Sequence, residues 1–230
     1  MPRYLITGAS RGIGRAVAAK LAAPDVQLLL HGRDQEALVE VYTEIEQKGA
    51  QGEILVCDLA DPEAIEKMLH KIGDAPLDLL VNNAGISVAK PFDQLSLEEW
   101  NLTLAVNVTA PFLLTSRLAK NIPAGGAIVN ILSGAAYTIY PGWSSYCMSK
   151  FALDGFSRTV REELREKKVR VINIYPGATD TEIWDSIPGD WPHEKMMSPD
   201  EIAEAVAYTV ARPGSVTIEH IRVGRTGGAL

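Results

Sequence analysis

The chain has only two cysteines, Cys57 and Cys147, widely separated and without partners at metal-ligand spacing. That excludes a disulfide framework, gives a zinc site no ligand set and fits a reducing cytoplasm. No metal is expected. A basic surplus is lacking too: 22 Lys and Arg stand against 29 Asp and Glu, a formal charge of −7. Phosphate neutralisation needs a clustered basic stripe and these cations are scattered, so no nucleic-acid partner is expected. Met1 and Pro2 lead straight into an apolar strand, with no charged leader, cleavage site or apolar run of about 18 residues, so neither secretion nor a membrane is indicated. Repeats, low-complexity tracts and linkers are absent, and the pairs Gly125-Gly126 and Gly227-Gly228 are isolated punctuation. The histidines, His31, His70, His193 and His220, are dispersed with no ordered serine and carboxylate, which leaves histidine-centred nucleophilic chemistry without support.

What is present is enough apolar residue, 47% of 230, for one sizeable core and too little chain for two ordinary domains. A single domain over residues 1–230 is expected, its cofactor half roughly 1–125 and its catalytic and substrate half roughly 126–230. Apolar, β-branched runs predict strands at Tyr4 to Thr7, Val26 to His31, Gly52 to Val56, Leu77 to Asn82, Ala127 to Leu132, Val169 to Tyr175 and Ser215 to Ile221. Between them, periods near 3.6 predict helices at Gly14 to Ala23, Gln35 to Lys48, Pro62 to Ile72, Leu97 to Asn121, Ser144 to Lys168 and Pro199 to Ala211. Asp61-Pro62 and Ser198-Pro199 are start signals, a capping side chain followed by proline at the first helical position. This alternation implies an α/β fold, a doubly wound parallel sheet of about seven strands with helices on both faces and ligands beyond the strand C-termini. Residues 179–198 break the alternation and read as a lid of loop or short helix.

The first strand runs into Thr7-Gly8-Ala9-Ser10-Arg11-Gly12-Ile13-Gly14 and then a helix. A glycine-rich turn there lets the backbone approach a pyrophosphate, which the helix N-terminus holds with free N–H groups. Gly8, Ser10, Arg11, Gly12, Ile13 and Gly14 are therefore dinucleotide-binding candidates. The second strand ends at His31-Gly32-Arg33-Asp34, where an acidic residue would serve a ribose 2′-hydroxyl. Arg33, with Arg11, suits a 2′-phosphate instead, so NADP(H) is preferred with NAD(H) possible; Asp34 could serve the ribose if both arginines are only solvated surface. In Cys57-Asp58-Leu59 the Asp58 carboxylate could meet the adenine amino group or cap a turn.

The chain resembles the short-chain dehydrogenase/reductase family, small single-domain branch, over essentially its whole length. Thr7 to Gly14 matches the glycine motif, Asn82-Asn83-Ala84-Gly85 the motif after the fourth strand and Asn107 the helix asparagine. Ser133 matches the catalytic serine, Tyr146-Cys147-Met148-Ser149-Lys150 the Tyr-x-x-x-Lys pair, and Pro176-Gly177 with Thr181 the nicotinamide-side loop. The resemblance implies a Rossmann-type sheet of order 3-2-1-4-5-6-7, NAD(P)(H) as cofactor, and a homodimer or homotetramer. Asn82, Ala84, Gly85, Pro176, Gly177, Thr179 and Thr181 join Asp58 and Leu59 as cofactor contacts on the same ground. Thr179 departs from the valine or isoleucine common there, a change its backbone can absorb.

Tyr146 and Lys150 are four apart on a predicted helix and project from one face. A phenol is a weak acid near neutrality, and a nearby ammonium together with the cofactor's positive ring favours its phenolate. Tyr146 is thus the expected general acid or base, Lys150 its charge partner and, by resemblance, the holder of the nicotinamide ribose. Ser133, ending the fifth strand, would orient and polarise a substrate oxygen. By resemblance, Asn107 would bind a water linking Lys150 to solvent. Taken singly, each has a plainer reading: a buried amide, a strand-end cap, a surface pair. Cys147 points to another side of the helix and reads as packing. Ile86, Val88, Tyr137, Tyr140, Trp143, Ile183, Trp184, Trp191 and Met197 would line an apolar or aromatic substrate, or else pack under the lid. The expected activity is NADP(H)-dependent interconversion of a ketone or aldehyde with an alcohol. The alternatives are a catalytically silent dinucleotide-sensing regulator of the same fold, which has no need of the Ser133, Tyr146 and Lys150 set, and an epimerase or dehydratase, whose glycine spacing differs. Whether the tail Gly227-Gly228-Ala229-Leu230 reaches a neighbouring subunit stays open.

Overall fold

The structure, a computed structural model, describes residues 1–228; Ala229 and Leu230 of the tail lie outside the described residues. The strands are β1 (Arg3–Ile6), β2 (Gln27–Gly32), β3 (Gln51–Val56), β4 (Leu79–Asn82), β5 (Ala127–Ile131), β6 (Arg170–Pro176) and β7 (His220–Val223). The helices are α1 (Gly12–Leu21), α2 (Gln35–Gln47), α3 (Pro62–Ile72), α4 (Leu97–Leu104), α5 (Ala110–Leu118), α6 (Ser144–Glu163) and α7 (Pro199–Val210).

Successive strand residues point to opposite faces, and here both faces are apolar. Leu28, Leu30 and Val129 fall in one core cluster, Leu29 and Ile128 in another. The first is roofed by α1, α2 and α7 through Val17, Leu38, Val41, Ile202 and Val206. The second is roofed by α3 and α5 through Ile65, Met68, Leu114 and Leu118. Strands covered on both sides must be joined by crossovers, and every pairing is parallel, in the order β3-β2-β1-β4-β5-β6-β7. The order reverses between β1 and β4, which opens a crevice beyond their C-terminal ends.

The start signals work as expected: Asp61 accepts from Glu63 N–H at the head of α3, and Ser198 forms a capping box with Glu201 at the head of α7. Three expectations need correction. The single helix from Leu97 to Asn121 is split by a π-helical segment at Ala105–Thr109. Pro111 has no N–H to give the Asn107 carbonyl, as an α-helix would require, so the turn widens and Ala110 N–H reaches back to Ala105. This run is long and apolar enough to cross a membrane by length and composition, yet its apolar side, Ala110, Leu114 and Leu118, belongs to the sheet core. The last strand is His220–Val223 rather than Ser215 to Ile221, because Ile221 and Val223 pack on the core while Val216 is exposed. Helix α6 stops at Glu163, and the chain turns back to β6 through Lys168 at φ 56°.

Two polar devices fix the crevice. Across β4, β5 and β6 a buried ladder runs from Asn82 Nδ2 to Asn130 Oδ1 (2.9 Å) and from Asn130 Nδ2 to Asn173 Oδ1 (3.2 Å). It ends on α6, where Asn173 donates to Asp154 (3.1 Å). At the other strand pair, the buried His31 imidazole accepts from Gly8 N–H through Nδ1 (3.3 Å) and pairs through Nε2 with the Cys57 carbonyl (3.1 Å). Nε2 therefore carries the proton, and burial pushes the imidazole down to about 4.

That shift makes the glycine loop acid-sensitive. Below about pH 6.5 the unfolded chain binds a proton at residue 31 that the folded chain refuses, so stability falls by roughly 3 kcal/mol between about pH 6.5 and 4. Urea unfolding should show His31→Gln, which cannot titrate, losing that part of the slope; parallel slopes in the two proteins would refute the assignment.

Candidate active site

The loop between β1 and α1 approaches the backbone of β4 too closely for side chains. A Cβ on Gly8, which sits at φ 66°, would meet Ala84 Cα at 3.0 Å, and one on Gly14 would stand 2.0 Å from the Gly8 carbonyl oxygen. Thr7 and Asn83 lock this approach. Thr7 Oγ1 accepts from the Asn83 and Ala84 N–H groups (2.9 and 3.0 Å), and Asn83 Nδ2 donates to the Thr7 and Gly8 carbonyls (2.8 and 3.1 Å). Helices α2, α3, α4 and α7 begin with a capping side chain, whereas α1 has none and no acid in its first turn. Its N–H groups are left for an anion.

A cleft of about 1090 Å³ opens at this point. Its loop end is lined by Gly8, Ser10, Arg11, Ile13, Arg33, Asp58 and Leu59, its floor by Ala84, Gly85, Ser133, Tyr146 and Lys150, and its far wall by Pro176, Gly177, Thr179 and Thr181. Asp34 caps α2 by accepting from Ala37 N–H (3.1 Å), and Asp58 accepts from Ala60 N–H (2.9 Å). Both acids are thus occupied by backbone, and Arg33 is left as the charged group at the tip of β2.

Three expected cofactor contacts lie elsewhere. Gly12 faces a smaller cavity of about 520 Å³ behind the loop, and Gly14 is buried against Gly8. Asn82 turns its side chain into the sheet, toward Asn130 and Thr115 (3.2 Å), because β4 is buried on both faces. The motif position that serves the loop is Asn83.

At the floor, β5 ends at Ile131, α6 begins at Ser144, and their junction brings the chemistry together. Ser133 Oγ accepts from Ala135 N–H (3.1 Å), so it does cap the short turn Gly134–Ala136, and it also hydrogen-bonds Tyr146. Lys150, buried, donates to the Ile131 carbonyl (3.0 Å) with Nζ 5.5 Å from the Tyr146 ring centroid. Burial pushes the Tyr146 phenol up to about 12, against the Ser133 hydrogen bond, and the Lys150 ammonium down to about 8. The expected depression of Tyr146 by Lys150 is not seen in the protein alone: desolvation dominates and moves both groups toward neutrality.

Asn107 does not line the cleft. Its amide accepts from Ile86 N–H, donates to the Ile86 carbonyl (both 2.9 Å) and donates to Ser149 Oγ (3.0 Å). With its side chain so occupied, it ties the irregular segment after Gly85 to α6 next to Lys150. Sequence reasoning missed this tie and the parts played by His31 and Ser149, and it quoted Thr7 and Asn83 within motifs without seeing that they lock the loop.

Residues 179–198 leave the sheet at Thr179 and return at Met197, where a parallel bridge staples the ends. Between them Trp184 and Trp191 pack 4.8 Å apart and meet Trp143 edge-on at 5.9 and 6.2 Å; Trp143 meets Tyr146 at 5.7 Å. Ile86, Val88, Tyr137, Tyr140, Trp143, Ile183, Trp184 and Trp191 all line the cleft. Met197 does not; it is buried in the core beneath Gly177.

Known proteins share this layout. The family model for short chain dehydrogenases matches residues 3–190. A 3-oxoacyl-(acyl-carrier-protein) reductase of Aquifex aeolicus is 34% identical over 95% of this chain and 94% of its own. A sepiapterin reductase of Chlorobaculum tepidum is 32% identical over 98% and 97%. An alcohol dehydrogenase from the archaeon Thermococcus sibiricus, solved with 5-hydroxy-NADP, superposes with a TM-score of 0.89 at 30% identity over 97% of this chain and 96% of that one. With its sheet order, glycine loop and Ser-Tyr-Lys floor, the chain belongs to the short-chain dehydrogenase/reductase family of oxidoreductases.

Proposed function

We propose that this protein is an NADP(H)-dependent oxidoreductase that interconverts an apolar or aromatic ketone or aldehyde with its alcohol, Tyr146 acting as general acid and base. The observation that carries the reading is the meeting of Ser133, Tyr146 and Lys150 on the floor of one cleft whose loop end adjoins an uncapped helix N-terminus. When bound, the nicotinamide supplies or takes up the hydride. The chain does the rest. Ser133 Oγ hydrogen-bonds the carbonyl oxygen, and Tyr146, a phenol throughout the usable pH range, gives it a proton as the carbon is reduced. Lys150, charged below about pH 8, steadies the phenolate so formed and hydrogen-bonds the ribose hydroxyls. Gly85 leaves room beside it, since a Cβ there would stand 3.6 Å from Lys150 Nζ. A relay from Lys150 to solvent through Asn107 falls to that residue's main-chain carbonyl, which Pro111 leaves without its α-helical donor.

For the cofactor, Arg33 and Arg11 at the loop end suit a 2′-phosphate, in keeping with the 5-hydroxy-NADP of the Thermococcus relative. For the substrate, the tryptophan cluster beside Tyr146 supplies an apolar, aromatic wall. Copies associate, in this reading, through the exposed Leu97, Phe112 and Phe151 on α4, α5 and α6.

Tyr146→Phe should cut NADPH-dependent reduction of an aryl ketone by about a thousandfold while calorimetry shows NADPH binding retained. Turnover at the wild-type rate would sink the mechanism, and binding without turnover of any carbonyl by wild-type protein would favour the silent sensor. The pH profile carries a separate prediction. Because Tyr146 stays protonated to about 12 and Lys150 loses its proton near 8, kcat/KM for reduction should be level below about pH 8 and fall above it; a profile level to pH 10 would remove Lys150 from the proton path. In cofactor titrations, Arg33→Asp should weaken NADPH by roughly ten- to a hundredfold and spare NADH. Equal losses for both would make Arg33 a structural residue.

A further inference from the structure

The cleft has four arginines, and the reading above uses only two. Arg11 and Arg33 stand at the loop end; Arg222, on β7, and Arg225, in the turn after it, line the opposite end with Tyr137 and Thr138. Arg222 is held in place: its Cζ lies 4.0 Å from the Tyr137 ring centroid, and Tyr137 leans on Tyr175 at 5.8 Å. Stacking of this kind occupies the face of a guanidinium and leaves its edge donors free.

Among the described residues neither Arg222 nor Arg225 makes an ion pair. The acids that line the cleft are Asp34, Asp58 and Glu182. Asp34 and Asp58 are bound to backbone at the loop end, and Glu182 lies beside Gly12. The far end of the cleft therefore carries two cations and no acid, in a protein of net charge −7. Two guanidinium groups that line one cleft and have no ion-pair partner among the described residues suit a planar carboxylate, which accepts their donors in pairs.

We propose that Arg222 and Arg225 form a carboxylate-binding subsite, so that the preferred substrate is an apolar carbonyl compound or alcohol bearing a carboxylate remote from the reacting carbon. Tyr137 positions Arg222 and does not touch the reacting atoms. The proposal rests on the hydride-transfer reading of the same cleft, and its test separates the two.

The test compares NADPH-dependent reduction of 4-acetylbenzoate, and homologues with a lengthening methylene spacer before the carboxylate, with reduction of their methyl esters. The best-spaced acid should exceed its ester in kcat/KM by about tenfold at low salt, chiefly through KM, and the advantage should shrink with added KCl. Arg222→Ala and Arg225→Ala should each erase most of that acid-to-ester ratio, and Arg222→Lys should restore part of it. A ratio near one in wild-type protein, or the same ratio in the alanine variants, overturns the subsite while leaving carbonyl reduction standing. Weaker NADPH binding in the variants with the ratio intact assigns the arginines to the cofactor and overturns it as well. Calorimetry of the NADP⁺-loaded protein with the same carboxylates reads the subsite without turnover. Arginine-dependent binding in the absence of any reduction would keep the subsite and overturn the hydride-transfer reading.

Discussion

The approach of Gly14 to Gly8 is the constraint on which the rest of the molecule hangs. Helix α1 can start so soon after β1 only if its first turn lies against the Gly8 carbonyl in the connecting loop, and a methyl group at residue 14 would stand 2.0 Å from that oxygen. Once the loop is that tight, α1 points its free N–H groups over the crevice where the sheet order reverses. The chain leaving β4 then passes close behind, held there by Thr7, whose Oγ1 accepts from Asn83 and Ala84 N–H and whose carbonyl accepts from Asn83 Nδ2. His31 closes the loop from the other flank by accepting from Gly8 N–H. Such a loop carries no slack, which holds the free N–H groups of α1 in fixed positions over the crevice.

The floor of Ser133, Tyr146 and Lys150 depends on a second buried device of a different kind. The Asn82, Asn130 and Asn173 side chains pair across three in-register strands and end on Asp154 of α6. In a sheet otherwise filled with Leu, Ile and Val, a one-residue slip would bury these amides without partners, at a cost of about 1 to 3 kcal/mol each. The ladder therefore fixes the register of β5 against β6 and of both against α6. Lys150 hangs from the Ile131 carbonyl, one residue beyond Asn130, and Ser133 follows two residues later. An apolar ladder would pack as well and specify less.

Much of this was legible in advance for reasons that differ from element to element. The strand-helix alternation and the cap signals at Asp61 and Ser198 are local, and the structure realises them. The glycine loop and the Ser133, Tyr146 and Lys150 set were legible because motif and context agreed, and the fold brings them to one cleft. What sequence could not settle was direction. Where β4 ends, the adjacent Asn82 and Asn83 are chemically alike and turn different ways, and only the second reaches the loop. The same holds at Asn107, whose amide is spent on Ile86 and Ser149. Long-range partners such as His31 to Gly8 carry no sequence signature, because their spacing reflects the crossover rather than the contact. Apolarity misled at Ser215 to Ile221, where the stretch before His220 is exposed and carries no strand.

The shifts of Tyr146 and Lys150 show what the protein alone can and cannot do. Burial raises the phenol and lowers the ammonium, so at neutral pH the tyrosine is a proton donor and the lysine is charged yet only about one unit from losing its proton. A donor set in that state serves reduction of a carbonyl, where the oxygen gains a proton, more directly than oxidation of an alcohol, which needs a phenolate first. Abstraction from an alcohol must therefore draw on positive charge beyond that of the protein's own side chains. Under the proposed mechanism, the chain sets the resting protonation state by desolvation and leaves the direction of proton transfer to whatever charge enters the cleft, so that one floor of Ser133, Tyr146 and Lys150 would serve both directions of a reversible reaction.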